Sequence, residues 1–204
     1  MRNYICINGA KKELTEEQIN KIIAENQSAT GNIKLADIEE GSTFNIGMHE
    51  FIVLEQSGNT TAIISKNLLT DSRFGNNNNY SGSSVDAVCC EFAEEISSIV
   101  EKENIVPHTV DLTSNDGLKD YGTINRLVSV LTADRYRRYV EILDKFKIDD
   151  WWWLSTPFST KKHRDDIWVL CVSPSGYIND FNYRGNGNGV RPFCILKSDI
   201  FVSK

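Results

Sequence analysis

The segment Trp151-Trp152-Trp153-Leu154-Ser155-Thr156-Pro157 decides the fold, because consecutive indoles form an aromatic cluster on which a core is anchored. A second segment near the end of the chain, Gly189-Val190-Arg191-Pro192, complements it. Glycine permits a turn, arginine satisfies buried carbonyls with its five donors, and proline ends a strand ladder. We therefore expect structural roles for five residues, with ligand contact as the alternative for the two tryptophans and the arginine: Trp152, Trp153, Gly189, Arg191 and Pro192.

Short strands and two helices surround these segments. Gly58-Asn59 lies between two apolar runs and predicts a hairpin. Serine at position 83 or 84 begins one helix, and Thr132 begins a second. The remaining apolar runs predict strands at 51–54, 61–64, 128–131, 167–172, 176–178, 190–196 and 200–202, with a second helix over 133–146 and a glycine- and asparagine-rich loop over 181–189. This pattern indicates an α+β fold.

We expect residues 1–33 to form a separate N-terminal extension before a domain of residues 34–204. Asn8-Gly9 predicts a tight hairpin between Tyr4–Ile7 and Lys11–Leu14, and Thr15 begins a helix that ends near Asn26. A hairpin and one helix are too small to be stable alone. The extension is therefore expected to dock on the main domain, and the alternative is a homodimer formed through residues 1–30.

The composition excludes several classes of protein. The chain has 204 residues and a formal net charge of −6, which disfavours direct binding to a nucleic-acid backbone. It contains no apolar run long enough to cross a membrane and begins without a signal peptide. Its five cysteines include the adjacent pair Cys89-Cys90, so a complete disulfide framework is ruled out. Secretion is therefore not expected.

The tryptophan and Gly-Val-Arg-Pro segments, with Phe51–Leu54 before them, resemble an uncharacterised domain family of Firmicutes and their phages. Its members carry the motifs Trp-Trp-Leu-Arg-Ser-Pro and Gly-Val-Arg-Pro. The family is similar to the C-type-lectin-like fold, in the branch of formylglycine-generating enzymes and the variable proteins of diversity-generating retroelements. The resemblance covers roughly residues 35–203 and implies a C-type-lectin-like fold. It also implies a protein of the host cytoplasm or of a virion. The chain departs from the motifs at Ser155, Thr156 and Phe193.

The sequence carries no recognised catalytic motif. Formylglycine formation needs two neighbouring thiols, and although Cys171 and Cys194 could lie side by side, neither stands in the enzymes' local motif. No P-loop, dinucleotide fingerprint or nucleophile elbow is present. Asn179-Asp180 is similar to part of a lectin calcium motif, but the partner element is missing. We therefore predict a non-enzymatic protein without a cofactor or bound metal.

The stretch before the final strand is the predicted ligand surface, because the resemblance to the retroelement variable proteins implies binding there. Rigid aromatics among asparagine, glycine and arginine have the composition of a recognition surface, and the alternative is a polar loop whose glycines meet turn geometry. The candidate ligand-binding residues are Tyr177, Asn179, Asp180, Asn182, Tyr183, Arg184, Asn186 and Asn188.

Three functions follow from these observations. The first is a phage or prophage binding module that recognises a protein or a glycan. The second is an intracellular inhibitor of host defence, such as an anti-CRISPR protein whose acidic surface occupies a nucleic-acid groove. The third is an enzyme of unrecognised type.

Overall fold

The computed structural model describes residues 32–185 and 187–203, together with Thr15 and the backbone of two strands near the N-terminus. Two helices are described, α1 (Ser84–Val100) and α2 (Ala133–Leu143). The strands of this part of the chain are β1 (Tyr4–Ile7), β2 (Ala10–Glu13), β3 (Asn32–Lys34), β4 (Thr43–Ile46), β5 (His49–Ser57), β6 (Thr60–Ser65), β7 (Thr70–Ser72), β8 (His108–Asp111), β9 (Thr123–Arg126), β10 (Val128–Ser129), β11 (Trp152–Pro157), β12 (Trp168–Val172), β13 (Ile178–Asn182), β14 (Asn188–Val190), β15 (Phe193–Lys197) and β16 (Phe201–Ser203).

The strands form two larger sheets and two hairpins. A seven-stranded sheet has the order β10-β15-β6-β5-β4-β16-β3, and a five-stranded sheet has the order β13-β12-β11-β14-β7. All pairings are antiparallel except that of β11 with β14. The α+β class predicted from the sequence is therefore confirmed. Because β16 pairs with β3, the last strand of the chain lies beside the first strand of the main domain.

The turn residue and the helix-capping residues predicted from the sequence occupy those positions in the structure. Gly58 adopts a positive φ of 58° in the turn between β5 and β6. The side chain of Ser83 accepts a hydrogen bond from the Asp86 amide and caps α1. Thr132 caps α2 in the same way through the amide of Arg135. Each cap satisfies an amide that would otherwise lack a partner in the first helical turn.

Two hydrophobic cores flank the central strand β11. Since neighbouring strand residues point to opposite faces, Trp153 packs into a core with α1, whereas Trp152 packs into a second core with α2. The Trp153 ring lies 5.3 Å from that of Phe74, and the Trp152 ring lies 5.6 Å from that of Tyr136. The indoles therefore connect both helices to the same strand.

The residues expected to be structural are all buried. Arg191 donates from Nε to the carbonyl of Ser65 and from Nη2 to those of Lys66 and Phe146. Pro192 lies in the break between β14 and β15, which agrees with a ladder end. Gly189 was expected to permit a turn, and this expectation is wrong, because the residue lies within β14. A Cβ at this position would overlap the side chain of Leu68, so a larger residue there would force Leu68 to move.

Two other expectations are corrected. The predicted strand 176–178 is a turn at Gly176, whose φ is 87°, and the strand begins at Ile178. The predicted loop 181–189 begins inside β13 and ends inside β14. A further hairpin, β8 with β9, was missed because its strands are short and polar on one face.

The N-terminal extension is described only in its strands. Ile7 pairs with Ala10, so two residues join β1 to β2, as the Asn8-Gly9 signal predicts. The predicted helix 15–26 lies outside the described residues, apart from Thr15. The expected docking of the extension and the homodimer stay predictions. Among the described residues, no helix has both the length and the apolar character required to span a bilayer.

Candidate binding surface at the edge of the five-stranded sheet

The candidate surface is built on a hairpin that ends the five-stranded sheet. The amide of Ser173 donates to the carbonyl of Tyr177, and the amide of Gly176 donates to the carbonyl of Ser173, which closes the turn between β12 and β13. Beyond it, β13 runs antiparallel to β12 and is an edge strand. The carbonyl of Ile167 accepts from the amide of Tyr183 at the far end, so the hairpin is closed at both ends.

Aromatic side chains are exposed along this hairpin. Tyr177 is 73% exposed, Trp168 is 38% exposed and Phe181 is 37% exposed. Phe181 is held in place because its ring centroid lies 6.0 Å from that of the buried Trp153. We define the rim surface as the exposed side chains of this hairpin: Asn179 and Phe181 lie on one face, Trp168 lies on the opposite face, and Tyr177 and Arg184 lie at the two ends.

The structure places the predicted ligand residues in three environments. Tyr177, Asn179 and Arg184 are exposed, whereas Asp180 and Asn182 are half-buried on the opposite face of β13 from Phe181. Tyr183 is only 7% exposed and Asn188 only 4%, so neither side chain offers a surface to a ligand from solvent in this conformation. Asn186 lies outside the described residues.

Tyr183 supports Arg184 instead of forming the surface itself. The Tyr183 hydroxyl accepts a hydrogen bond of 2.8 Å from Arg184 Nε, and Arg184 Cζ lies 5.2 Å from the centre of the Tyr183 ring. A cation placed over an aromatic face is attracted by the ring quadrupole. The buried ring therefore orients an exposed guanidinium at the end of the rim surface.

A buried asparagine connects the loops behind the hairpin. Asn78 donates from Nδ2 to the carbonyls of Ser159 and Trp168, and its Oδ1 accepts from the hydroxyl of Tyr121. Its amide donates to the carbonyl of Asp166. Burial raises the pKa of Tyr121, which keeps this hydroxyl protonated as a donor. These bonds fix the start of β12, where Trp168 lies.

A polar cluster that the sequence did not indicate lies in the same loops. The carboxylate of Asp116 accepts from the hydroxyls of Ser114 and Ser159, and His163 Nδ1 lies 3.0 Å from Asp116 Oδ2. The hydrogen bond from Ser114, followed by those from Ser159 and His163, lowers the pKa of Asp116 to about 2. Ser159 and His163 bond to one carboxylate rather than to each other, so this arrangement binds the two loops together.

Cys171 and Cys194 are the two buried thiols that formylglycine formation would require as neighbours. Cys171 lies on β12 and Cys194 on β15, in different sheets, so the two thiols are not strand neighbours. Burial raises the pKa of each thiol to about 12, and a protonated thiol is a poor nucleophile. Within residues 32–185 and 187–203, no group of three or more His, Cys, Asp or Glu side chains is placed to hold a metal ion.

Comparisons of the chain with models of protein families, with curated proteins and with solved structures found no match.

Proposed function

We propose that this chain is a C-type-lectin-like binding module whose rim surface recognises a protein or a glycan of a host or phage. One observation carries the proposal: three aromatic side chains stay exposed on the hairpin that ends the five-stranded sheet, with Phe181 on one face, Trp168 on the other and Tyr177 at the turn. Burial of their exposed apolar area against a partner is favourable, and exposed aromatic side chains on one hairpin mark it as a candidate interaction surface.

The rim surface also has the rigidity that recognition requires. Phe181 packs on Trp153, Arg184 is held by Tyr183, and Trp168 follows loops fixed by Asn78. Side chains that are already ordered lose little conformational entropy on binding. Aromatic and arginine anchors are the residue types that contribute most to the affinity of protein interfaces.

The proposed fold assignment rests on the same core. Two helices on mostly antiparallel sheets, with the tryptophan segment and Arg191 at the centre, are compatible with the family that the sequence resembles. In this chain Ser155 replaces the usual arginine of the tryptophan motif. The amide of Ser155 donates to the carbonyl of Leu131, and Thr156 Oγ1 accepts from the amide of Ala133. These two bonds tie the segment to α2.

Partner capture with two variants tests the proposal. Trp168→Ser combined with Tyr177→Ser removes two exposed aromatic side chains, and Met48→Ser is the control because Met48 is an exposed apolar residue in the turn between β4 and β5. The wild type is expected to cross-link to a partner in host or virion material, or to give a signal on a glycan array if the ligand is a sugar. We expect only the double variant to lose this signal. Equal capture by both variants contradicts the proposal.

A second candidate function is supported by the acidic face of α1. Glu91, Glu94 and Glu95 are exposed on this helix, and Glu101 and Glu103 follow it. Lys102 lies 3.8 Å from Glu94, and His49 lies 2.7 Å from Glu95. The remaining carboxylates have no ion pair within the described residues. A face of this kind suits a basic groove and supports the inhibitor of host defence.

Plasmid interference in a host with an active CRISPR system tests this candidate. Expression of the chain is expected to restore plasmid uptake, and the combined change Glu91→Lys and Glu94→Lys is expected to abolish the effect. Trp168→Ser with Tyr177→Ser is the control, because it alters the rim surface and leaves the acidic face intact. Uptake that no variant changes rules out this mechanism.

A further inference from the structure

The backbone of β13 presents an unused strand ladder. In an antiparallel pair, residues alternate between those whose N–H and C=O groups face the partner strand and those whose groups face away. The Ser173–Tyr177 and Ile167–Tyr183 bonds fix this alternation at both ends of β13. Together with the register of β12 and β13, these two hydrogen bonds show that the N–H and C=O groups of Ile178, Asp180 and Asn182 point away from β12.

Most of these outward groups have no partner. The amide of Asp180 donates to Asn179 Oδ1, and the carbonyl of Asn182 accepts from the amide of Gly185. In the part of the chain that the structure describes, the N–H groups of Ile178 and Asn182 and the C=O groups of Ile178 and Asp180 bond to nothing. Alternate residues of a strand are about 6.8 Å apart, so the outward groups of an added strand have the same spacing as those of β13.

We propose that the rim surface binds its partner by strand addition, and that the added segment is extended and carries a basic residue opposite Asp180. This inference rests on the proposed function, because it names the partner chemistry of the same surface. Side chains directly opposite each other on paired strands interact, and opposite charges stabilise the pair. Asp180 is at the centre of the free ladder, so its carboxylate selects the residue that faces it.

The same carboxylate disfavours a second copy of this chain as the occupant. In the two-fold antiparallel register that uses Ile178, Asp180 and Asn182, each Asp180 lies opposite the Asp180 of the other copy. Like charges in this position are destabilising, and natural proteins use charges on edge strands to prevent self-pairing. A neutral or acidic strand gains nothing from Asp180, whereas a basic one does.

Two substitutions of Asp180 distinguish the contribution of its backbone donor from that of its carboxylate charge. The amide of Asp180 faces away from β12, so Asp180→Pro keeps every bond between β12 and β13 and removes one outward donor. Asp180→Asn keeps the donor and removes only the charge. Circular dichroism and thermal unfolding of both variants establish that each is folded.

The probes are two short synthetic peptides of alternating threonine and valine, one with lysine and one with glutamate at the centre. Titrated into the full chain and followed by NMR, the lysine peptide is expected to bind about tenfold more tightly than the glutamate peptide. Asp180→Asn is expected to remove the preference, and Asp180→Pro to remove binding. Binding of neither peptide means that Asp180 only keeps the edge unpaired, and this result overturns the proposal.

Amide hydrogen exchange gives a readout that a contact between side chains alone does not change. In the free protein the amides of Asn179, Phe181 and Tyr183 are expected to be protected, and those of Ile178 and Asn182 to exchange fast. The lysine peptide is expected to protect Ile178 and Asn182. Unchanged exchange with a bound peptide overturns strand addition.

The two proposals fail in different ways. If partner capture needs Trp168 and Tyr177 but is the same for Asp180→Pro and the wild type, strand addition is wrong and the rim surface stands. If capture is unaffected by all of these variants, the rim surface itself is wrong.

Discussion

The guanidinium of Arg191 lies over the indole of Trp152, with Cζ 5.2 Å from the ring centre. Both side chains are buried, and burial lowers the pKa of Arg191 to about 10. A buried cation is costly unless it is hydrogen-bonded, and here the carbonyls of Ser65, Lys66 and Phe146 accept hydrogen bonds from the guanidinium. The pair therefore fixes three chain segments around the second core.

Arg191→Met is expected to lower the free energy of unfolding by about 3 kcal/mol, because buried carbonyls lose their donors while the volume is kept. Urea unfolding measures the change. Arg184→Met is the control, since its guanidinium is exposed, its side-chain hydrogen bond within the described residues goes to Tyr183, and its loss is expected to cost below about 0.5 kcal/mol. Equal losses in the two variants contradict the role of Arg191.

Asn78→Ala is expected to destabilise the fold by about 2 kcal/mol, because the Ser159 carbonyl loses its donor and the Tyr121 hydroxyl loses its acceptor, while the Trp168 carbonyl keeps the amide of Phe158. Hydrogen exchange of residues 159–168 is expected to accelerate, since this amide connects them to the loop that precedes α1. Asn76→Ala is the matched control, because Asn76 belongs to the same run of asparagines and is exposed. Similar exchange in both variants removes Asn78 from this role.

The asparagine run shows what the sequence conveyed and what it did not. Local signals such as Gly58-Asn59, Ser83 and Thr132 predicted turns and helix starts, because each acts within a few residues of itself. Four consecutive identical amides carry no such signal. The choice of Asn78 follows from the distant segments that pack on it.

Tyr183 was placed on the predicted ligand surface because β13 was not recognised. Phe181 and Tyr183 are two residues apart, so strand periodicity places them on one face, towards Trp153. The polar run of β13 hid this period, since an edge strand needs no apolar alternation. The parallel pairing of β11 with β14 was equally hidden, because it joins segments far apart in the chain.

His108 makes the stability depend on pH. Burial, and then the nearby charge of Arg135, lowers the pKa of His108 to about 3. The unfolded chain takes up this proton near pH 6.5, so the unfolded state holds more protons between the two values. The contribution is fully present above pH 6.5 and is lost as the pH falls towards 3.

From pH 6.5 to pH 5 the free energy of unfolding is expected to fall by about 1.5 kcal/mol through this group. Unfolding in urea at several pH values measures the slope. His108→Gln retains a polar side chain near Ser129, which bonds to His108 at 2.8 Å, and is expected to remove this part of the slope. Identical slopes in the two proteins contradict the assignment.

Glu101 is the residue at which a substitution is expected to stabilise the fold. It ends α1 with φ 66° and ψ 135°, a conformation that costs a residue with a Cβ about 1–3 kcal/mol. Glycine adopts it without strain, and its greater freedom in the unfolded chain offsets only about 0.5–1 kcal/mol. Glu101→Gly is therefore expected to raise the free energy of unfolding by about 1 kcal/mol, measured in urea. Glu103→Gly is the control, because Glu103 is an exposed neighbour within a short 3-10 helix, and the same change there is expected to destabilise. A loss of stability in both variants means that the helix end stores no strain.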